Sequence, residues 1–546
     1  MTGTGAPSIH PLPAAFTEIR PHQAVAVAEA DDLFDDGCEV VFMDAPTGSG
    51  KTLIGELVRR VRREKGKAGR VLYVCSDKAL QRQFLQDFPY AKVLMGRSNY
   101  RTELGGDALT AEDCTAPGMS ACCMWCQTPA GCPYKAAKQA AMDAELAVVN
   151  TSYFLAEANH VGQFSGFDLI IVDEADALEG VLMGFVEYEI PQYVFTALHL
   201  KAPVKGARRT TIVKWLQEVH KQADVYLGRN HGRMEEKVKM RWRGFVRTTE
   251  QTIKELEKDQ LPDVAAVAGV EEDGQWLRDY DTRTFKMKPV LVGRYGPKYL
   301  WRHASNWLLM SATIVSCEEM VESLGLPYDW GHVVVPMTFP VENRPVYLAP
   351  VANVTYKDMD VAVPQLAYAL GQISERHPGE RVLVHTVSYG LNSRLLKELV
   401  VDRPVFSYAA SKEKDRALED FLASADGMLL APSMERGIDL KGDQCRVVVV
   451  AKVPFPALGD RRISARIHLP GGQLWYTVQT IRDIVQMTGR GVRSEDDWAV
   501  TYILDAQFSR NVWRNRSLFP RWWSEAVDSG QDLRWLHAPR AKSVVT

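Results

Sequence analysis

Residues 38–52 read CEVVFMDAPTGSGKT, and this stretch decides the fold. The apolar run 40–43 is typical of a buried strand, the segment 45–52 is a glycine-containing loop, and the pattern from Leu53 to about Arg63 indicates a helix. A strand, a glycine loop and a helix in this order form a P-loop, in which backbone amides and the helix N-terminus face phosphates. The sequence therefore predicts an α/β domain that binds a nucleotide.

The residue types of this loop fit phosphate binding. Gly48 and Gly50, on either side of Ser49, let the backbone approach the phosphates closely. Lys51 has the length and charge to reach the β- and γ-phosphates, and the hydroxyl of Thr52 can bind Mg²⁺. We expect all five residues to contact the nucleotide.

Two features beside the loop are less specific. Ala45 stands where the usual pattern begins with glycine, which is a small departure. The stretch 20–23 (RPHQ) places Gln23 upstream of the loop, where it is either an adenine contact or part of an ordinary helix start.

An acidic pair follows a second apolar strand. Residues 168–176 read DLIIVDEAD, so the strand ends in carboxylates. We expect Asp173 to hold Mg²⁺ through water and Glu174 to polarise the water that attacks the γ-phosphate. The alternative is an acidic strand end without a catalytic role.

Three further motifs follow, LMSAT at 309–313, SMERGID at 433–439 and QMTGRGVR at 486–493. The second ends at Asp439, which we include among the nucleotide-binding residues. In the third, Gln486, Arg490 and Arg493 lie about one helical turn apart, so one face can present an amide and two guanidinium groups to the γ-phosphate.

The order RPHQ, APTGSGKT, DEAD, SAT, ERGID and QMTGRGVR resembles that of superfamily 2 helicases. The resemblance implies two RecA-like domains with ATP bound between them, which close on the nucleotide and open after hydrolysis. It also implies the following catalytic residues: Lys51, Asp173, Glu174, Gln486, Arg490 and Arg493.

Two long segments distinguish the branch of the superfamily. Residues 53–172 separate the P-loop from the acidic pair, and 177–310 separate the acidic box from the SAT motif, so both connections contain insertions. Insertions at these places, with cysteines in the first, resemble the XPD/DinG family, as do the strings MGRSNY (95–100), CPY (132–134), AVVNTSYF (147–154) and VPFP (453–456). Two motifs differ from the usual pattern of the family. The acidic box reads DEAD instead of DEAH, so Asp176 stands in place of a histidine. In ERGID an arginine separates the glutamate from the glycine, whereas relatives often place the glutamate directly before the glycine.

The resemblance implies an α/β fold of two RecA-like P-loop motor domains, with an iron-sulfur cluster insertion and a helical arch insertion in the first. We expect a flexible tail at 1–17, a first motor domain at 18–340, an iron-sulfur domain at 96–140, an arch at 180–300 and a second motor domain at 341–546.

Five of the nine cysteines lie between positions 114 and 132, and such clustering in a chain without a secretory signal favours a metal over disulfides. The predicted ligands are Cys114, Cys123, Cys126 and Cys132, with Cys122 as a substitute for Cys123. Spacing alone fits zinc and a [4Fe–4S] cluster equally, and reduced cysteines in a small core are a third possibility. The family resemblance favours the iron-sulfur cluster.

The second insertion contains helical and basic patterns. Apolar side chains recur at helical spacing in 211–219, and 237–243 (KVKMRWR) interleaves cations with an aromatic residue. The basic run is either a solvated helix face or a wall that follows DNA phosphates, with Trp242 as a stacking platform.

Composition limits the class of protein. Hydrophobic residues at 46% and charged residues at 24% are ordinary for a globular protein, and no apolar run approaches the length of a membrane span. Residues 1–16 lack the features of a secretory signal. A net charge of -3 neither requires nor excludes a nucleic-acid groove. We predict a cytoplasmic monomer.

The sequence leads to one main hypothesis, an ATP-dependent DNA helicase that uses ATP, Mg²⁺ and a [4Fe–4S] cluster. By resemblance it moves 5′ to 3′ on single-stranded DNA and unwinds forked or tailed duplex DNA. Two alternatives remain open: a translocase or remodelling enzyme that does not unwind, and a metal-containing nucleic-acid-binding switch protein.

Overall fold

The computed structural model describes residues 12, 16–101, 110–111, 132–203, 209–258, 276–281, 284–433, 440, 442–489, 492 and 496–538. Within these residues the strands form two parallel sheets and one antiparallel sheet. The strands are β1 Val40–Asp44, β2 Val71–Cys75, β3 Lys92–Val93, β4 Leu146–Asn150, β5 Phe167–Asp173, β6 Tyr188–Ile190, β7 Trp276–Asp281, β8 Thr284–Pro289, β9 Ala304–Ser311, β10 Trp330–Val334, β11 Val346–Ala352, β12 Val382–His385, β13 Val405–Ser407, β14 Met428–Ala431, β15 Val447–Val450, β16 Val500–Asp505 and β17 Val527–Asp528.

Helices connect these strands on both faces of the parallel sheets. They are α1 Pro21–Asp35, α2 Lys51–Glu64, α3 Lys78–Asp87, α4 Pro133–Asp143, α5 Thr151–Ala156, α6 Leu178–Val186, α7 Gln192–Leu198, α8 Arg209–Asn230, α9 Glu236–Lys258, α10 Gly296–Tyr299, α11 Cys317–Leu324, α12 Met359–Arg376, α13 Tyr389–Glu398, α14 Lys414–Ala423, α15 Arg461–Arg466, α16 Gly472–Thr488 and α17 Arg521–Ser524.

The first sheet has the strand order β10-β1-β9-β5-β2-β4-β3. Side chains alternate between its faces: Val40 and Phe42 of β1 belong to one apolar cluster, and Val41 and Met43 belong to another on the opposite face. Because both faces are covered, every residue of β1 must be apolar or shielded, which explains the continuous apolar run in the sequence.

The second sheet has the order β13-β14-β12-β15-β16-β11-β17 and is built in the same way. Val382 and Val384 of β12 pack in one cluster, whereas Leu383 packs in another. All strand pairs of this sheet are parallel, so the ends of the strands that carry functional loops meet at one edge.

The segment between β5 and β9 contains a helical hairpin and a small sheet. Helices α8 and α9 pack against each other, and β6, β8 and β7 form an antiparallel sheet beside them. The sequence led us to expect only helices here. In β8, Phe285 and Met287 are buried and alternate with the more exposed Lys286 and Lys288, which is the period of a half-buried strand.

The prediction that Trp242 is a stacking platform is wrong. Its side chain is only 2% exposed and packs in the core of the α8–α9 hairpin, with its ring centroid 4.5 Å from that of Tyr226. The neighbouring Arg241 and Arg243 on α9 are exposed. The exposed arginines fit both a solvated face and a wall that follows phosphates, but Trp242 offers no ring to a base.

Among the described residues, no helix is both long and apolar enough to cross a membrane.

Candidate active site

The P-loop adopts the backbone that its glycines allow. Gly48 and Gly50 have φ angles of +83° and +82°, in the left-handed region that side chains disfavour. Gly50 is the N-terminal cap of α2, which begins at Lys51. The loop therefore connects the carboxyl end of β1 to a helix N-terminus, where the backbone dipoles favour a bound anion.

Gln23 lies against the P-loop. Its amide Nε2 donates a 2.9 Å hydrogen bond to the carbonyl oxygen of Ser49, and its Oε1 accepts one of 3.0 Å from the backbone nitrogen of Arg20. The ring of His22 lies 3.2 Å from the same Ser49 oxygen. The segment 20–23 thus supports the phosphate loop directly, and an adenine contact from Gln23 stays a prediction.

Gly50→Ala is expected to weaken ATP binding by at least about tenfold, because two effects combine. An added Cβ would lie 2.4 Å from Nε2 of Gln23, and the positive φ would strain any side chain. Equilibrium binding of a fluorescent ATP analogue measures the effect. Gly66→Ala is the matched control, since Gly66 has φ +72° with nothing within 4 Å of the added Cβ. Equal ATP affinities of the two variants would contradict this account of Gly50.

Lys51 and the acidic pair meet in the structure. Nζ of Lys51 donates a 2.9 Å hydrogen bond to Oε1 of Glu174. Asp173 is buried, and its Oδ2 accepts a 3.1 Å hydrogen bond from the hydroxyl of Tyr73 on β2. Glu174 has φ +55°, an uncommon backbone conformation that turns it sharply from the end of β5.

The pKa values of Lys51 and Asp173 are shifted by burial and by neighbouring charges. Burial alone lowers the pKa of the Lys51 ammonium, but the carboxylates of Glu174 and Asp173 outweigh burial, so the pKa is raised. Burial raises the pKa of Asp173, against the opposing effect of Lys51. Perturbed groups that meet at the end of a parallel strand are typical of a functional site.

Asp44, the last residue of β1, is a further acid at this edge. It is 6% exposed, and its Oδ1 has no hydrogen-bond partner among the described residues. Burial raises its pKa to about 8, although Lys51 acts in the opposite direction.

Asp44→Asn is expected to stabilise the protein more strongly as the pH rises. The folded chain keeps the Asp44 proton up to about pH 8, whereas the unfolded chain loses it near the ordinary pKa of 3.8. The stability of the parent therefore falls by on the order of 1 kcal/mol per pH unit within this window, and the neutral amide removes that loss. Thermal unfolding near the two ends of the window checks the sign. A stability difference independent of pH would contradict the assignment.

A chain of hydrogen bonds joins the acidic box to α16 in the second sheet's domain. The hydroxyl of Ser311 donates to Asp176 at 2.8 Å and lies 3.1 Å from the hydroxyl of Thr313. Thr313 Oγ1 accepts a 2.9 Å hydrogen bond from Nε2 of Gln486. Asp176 is therefore linked to the SAT motif.

Thr313 and Gln486 line a cavity of about 670 Å³ between the two sheets. It brings together predicted residues from the P-loop, the acidic pair and α16: Gly48, Gly50, Lys51, Thr52, Asp173, Glu174 and Gln486. Ser49 is 4% exposed and does not line it. The predicted Asp439, Arg490 and Arg493 lie outside the described residues.

The candidate metal ligands are described only in part. Cys114, Cys122, Cys123 and Cys126 lie outside the described residues. Cys132 is 5% exposed, precedes α4 and packs in the core of the first sheet with Tyr134. No group of three or more metal-ligating side chains occurs in the described part of the chain.

Sequence reasoning missed three residues of this site. Tyr73 positions Asp173, Asp44 adds a buried acid, and Thr313 receives Gln486. Asp44 and Thr313 were signalled by their places beside the P-loop and in the SAT motif. Tyr73 looks like an ordinary strand residue, and only the packing of β2 beside β5 gives it a role.

Comparisons with known proteins show similarity to helicases. Residues 370–526 match the family model for the helicase C-terminal domain, and 16–180 match the model described as type III restriction enzyme, res subunit. The ATP-dependent DNA helicase YoaA of Escherichia coli (strain K12) is 25% identical over 242 residues, which are 41% of this chain and 36% of that protein. The Fanconi anemia group J protein homolog of Gallus gallus is 28% identical over 137 residues, 22% of this chain and 11% of that protein.

The sequence matches thus span 36% and 11% of these curated relatives. A solved structure titled XPD_Helicase superposes with a TM-score of 0.63 at 15% identity, and the match covers 92% of this chain and 98% of that one. That likeness confirms the α/β fold with two RecA-like domains. In motif order, in fold and in these matches the chain is similar to the XPD/DinG-like helicases of superfamily 2.

Proposed function

We propose that the protein is an ATP-dependent DNA helicase that hydrolyses ATP between its two motor domains. The observation that carries this proposal is the single cavity lined by the P-loop, the acidic pair and Gln486 of α16. The helicases among its relatives, named as ATP-dependent and acting on DNA, support the choice of substrate.

The Lys51–Glu174 pair suggests how ATP prepares its own hydrolysis. The two side chains form an ion pair at 2.9 Å. The β- and γ-phosphates of ATP are stronger partners for the lysine, so their arrival releases the Glu174 carboxylate. The freed carboxylate can then accept a hydrogen bond from a water in line with the γ-phosphate.

The remaining residues of the site would bind Mg²⁺ or connect the site to the second motor domain. Thr52 and Asp173 would hold Mg²⁺, which neutralises charge on the β- and γ-phosphates when bound. The hydrogen bond from Tyr73 fixes the orientation of Asp173. Gln486 of the second domain donates a hydrogen bond to Thr313 of the first, so a shift of Thr313 on nucleotide binding would move α16. Roles for Asp439, Arg490 and Arg493 at the γ-phosphate stay predictions from the sequence.

We further propose that the chain moves 5′ to 3′ on single-stranded DNA and separates forked or tailed duplexes as a monomer in the cytoplasm. A [4Fe–4S] cluster on Cys114, Cys123, Cys126 and Cys132 would hold the first insertion rigid. The support for these finer statements is the family resemblance of the motifs.

DNA-stimulated ATP hydrolysis tests the enzymatic proposal. The expected result is turnover that needs Mg²⁺ and rises on addition of single-stranded DNA. RNA of the same sequence is the comparison that establishes the preferred nucleic acid. ATP binding without any turnover, with or without DNA, would instead favour the switch protein.

A further inference from the structure

Beyond the nucleotide site, the two motor domains are joined by a buried cluster of charges around Glu179. This residue belongs to α6, which begins just after the acidic box 173–176. Its side chain is 11% exposed and contacts two arginines of α15, Arg462 at 2.7 Å and Arg466 at a close ion-pair distance. Its Oε2 also accepts a 3.0 Å hydrogen bond from the indole nitrogen of Trp475. Two arginines and a tryptophan of the other domain therefore donate to this one carboxylate.

A polar stripe on α16 continues this contact toward the nucleotide. Trp475, Gln479, Arg482 and Gln486 recur at spacings of four, three and four residues and so share one helical face. Gln479 links its neighbours on this face. With its amide oriented so that the oxygen accepts, that oxygen lies 3.1 Å from Trp475 Nε1 and 2.9 Å from Arg482 Nη1.

The far half of the stripe contacts the first domain close to the nucleotide cavity. Arg482 is 2% exposed and lies 3.4 Å from the carbonyl oxygen of Thr313 and 3.6 Å from Glu319 of α11. Gln486 ends the stripe with its hydrogen bond to Thr313 in the cavity. The single helix α16 thus connects the Glu179 cluster with the nucleotide cavity.

The electrostatics make Glu179 the key member of the cluster. Burial raises its pKa, but Arg466 and Arg462 lower it further, so the carboxylate stays ionised. The guanidinium groups of Arg462 and Arg466 have lost much of their hydration, and the negative charge of Glu179 compensates for that loss. Removing this carboxylate would leave positive charge buried without a counter-charge. Arg466 additionally stacks on Trp475, 4.1 Å from the ring centroid, and donates to Ser323 of α11.

We propose that Glu179 is a positioning residue that docks α16, and with it Gln486, on the first motor domain. Because α6 follows directly from the acidic pair, the docking couples the orientation of α16 to the segment that holds Asp173 and Glu174. The turnover part of this inference rests on the proposed ATPase function, whereas the docking part does not.

Glu179→Gln tests the proposal with two readouts. We expect kcat for DNA-stimulated ATP hydrolysis to fall by about tenfold, with the KM for ATP changed by less than about threefold, because the P-loop itself is untouched. Energy transfer between dyes on unnatural amino acids at exposed Val25 and Tyr356, one in each domain, is expected to show a broader interdomain distance distribution. This labelling leaves every cysteine unmodified.

Two further variants separate positioning from general stability. Glu189→Gln, at an exposed acid of β6, is the control and should match the parent in both readouts. The double variant Glu179→Gln/Arg462→Gln removes a charge from each side, so it should recover part of the lost kcat and a narrower distance distribution.

The outcomes separate this inference from the proposed function. If the parent protein shows no ATPase activity, the proposed function is refuted. The interdomain distance distribution of Glu179→Gln would still test the docking role. An unchanged distance distribution in Glu179→Gln, or kcat within about twofold of the parent, would overturn the positioning role. A lower melting temperature with both readouts intact would show a purely structural residue.

Discussion

Replacement of Glu174 by glutamine is expected to lower kcat for ATP hydrolysis by about a hundredfold or more, while ATP still binds. The amide keeps the size of the side chain but cannot act as a base toward the attacking water. It also loses the ionic attraction to Lys51, whose Nζ lies 2.9 Å from Glu174. Lys51 is then free of a competing carboxylate, so the affinity for ATP should be equal to or higher than that of the parent.

Steady-state hydrolysis and equilibrium binding of an ATP analogue, measured on the same sample, check both parts. Glu29→Gln is the control, because Glu29 is exposed on α1 and does not line the nucleotide cavity. A kcat of Glu174→Gln within about threefold of the parent value would show that Glu174 does not act in catalysis. Loss of binding together with turnover would indicate a structural role at the turn after β5.

Replacement of Cys132 by serine is expected to remove most of the bound metal and to abolish strand separation. A hydroxyl is a poor substitute for a thiolate ligand, and the residue connects the cysteine segment to α4 and the core of the first sheet. We expect basal ATP hydrolysis to persist, because the nucleotide cavity contains no cysteine.

Metal and sulfide analysis of anaerobically purified protein measures the first effect. Cys317→Ser is the matched control, since Cys317 is 4% exposed and equally embedded in the core of the first sheet, but lies outside the cysteine cluster. Full metal retention by Cys132→Ser would exclude Cys132 as a ligand. Zinc without sulfide in the parent protein would replace the iron-sulfur assignment by a zinc site.

Local patterns predicted the nucleotide-binding elements well. The run 40–43 lies within β1, and α2 spans 51–64 where a helix from about 53 to 63 was expected. These elements follow from short-range chemistry, because glycines at positive φ and a helix N-terminus need only a few adjacent residues.

Contacts between distant segments were less accessible from the sequence. Trp242 stands in a basic run, and only the packing of α8 on α9 shows that its ring faces inward. The Glu179 cluster joins residues from α6, α15 and α16, and none of these positions belongs to a recognised motif. Such pairings depend on how the two domains dock, which local periodicity does not encode.

Strand displacement from DNA forks with only a 5′ or only a 3′ tail is the decisive experiment for a DNA helicase. It is made with Mg²⁺ and ATP, using the parent protein and Glu174→Gln. We expect the parent to displace the strand from the 5′-tailed fork and Glu174→Gln to displace none. ATP hydrolysis without displacement from either fork would contradict the helicase and favour a translocase that remodels complexes without unwinding, and displacement by Glu174→Gln would contradict an ATP-driven mechanism.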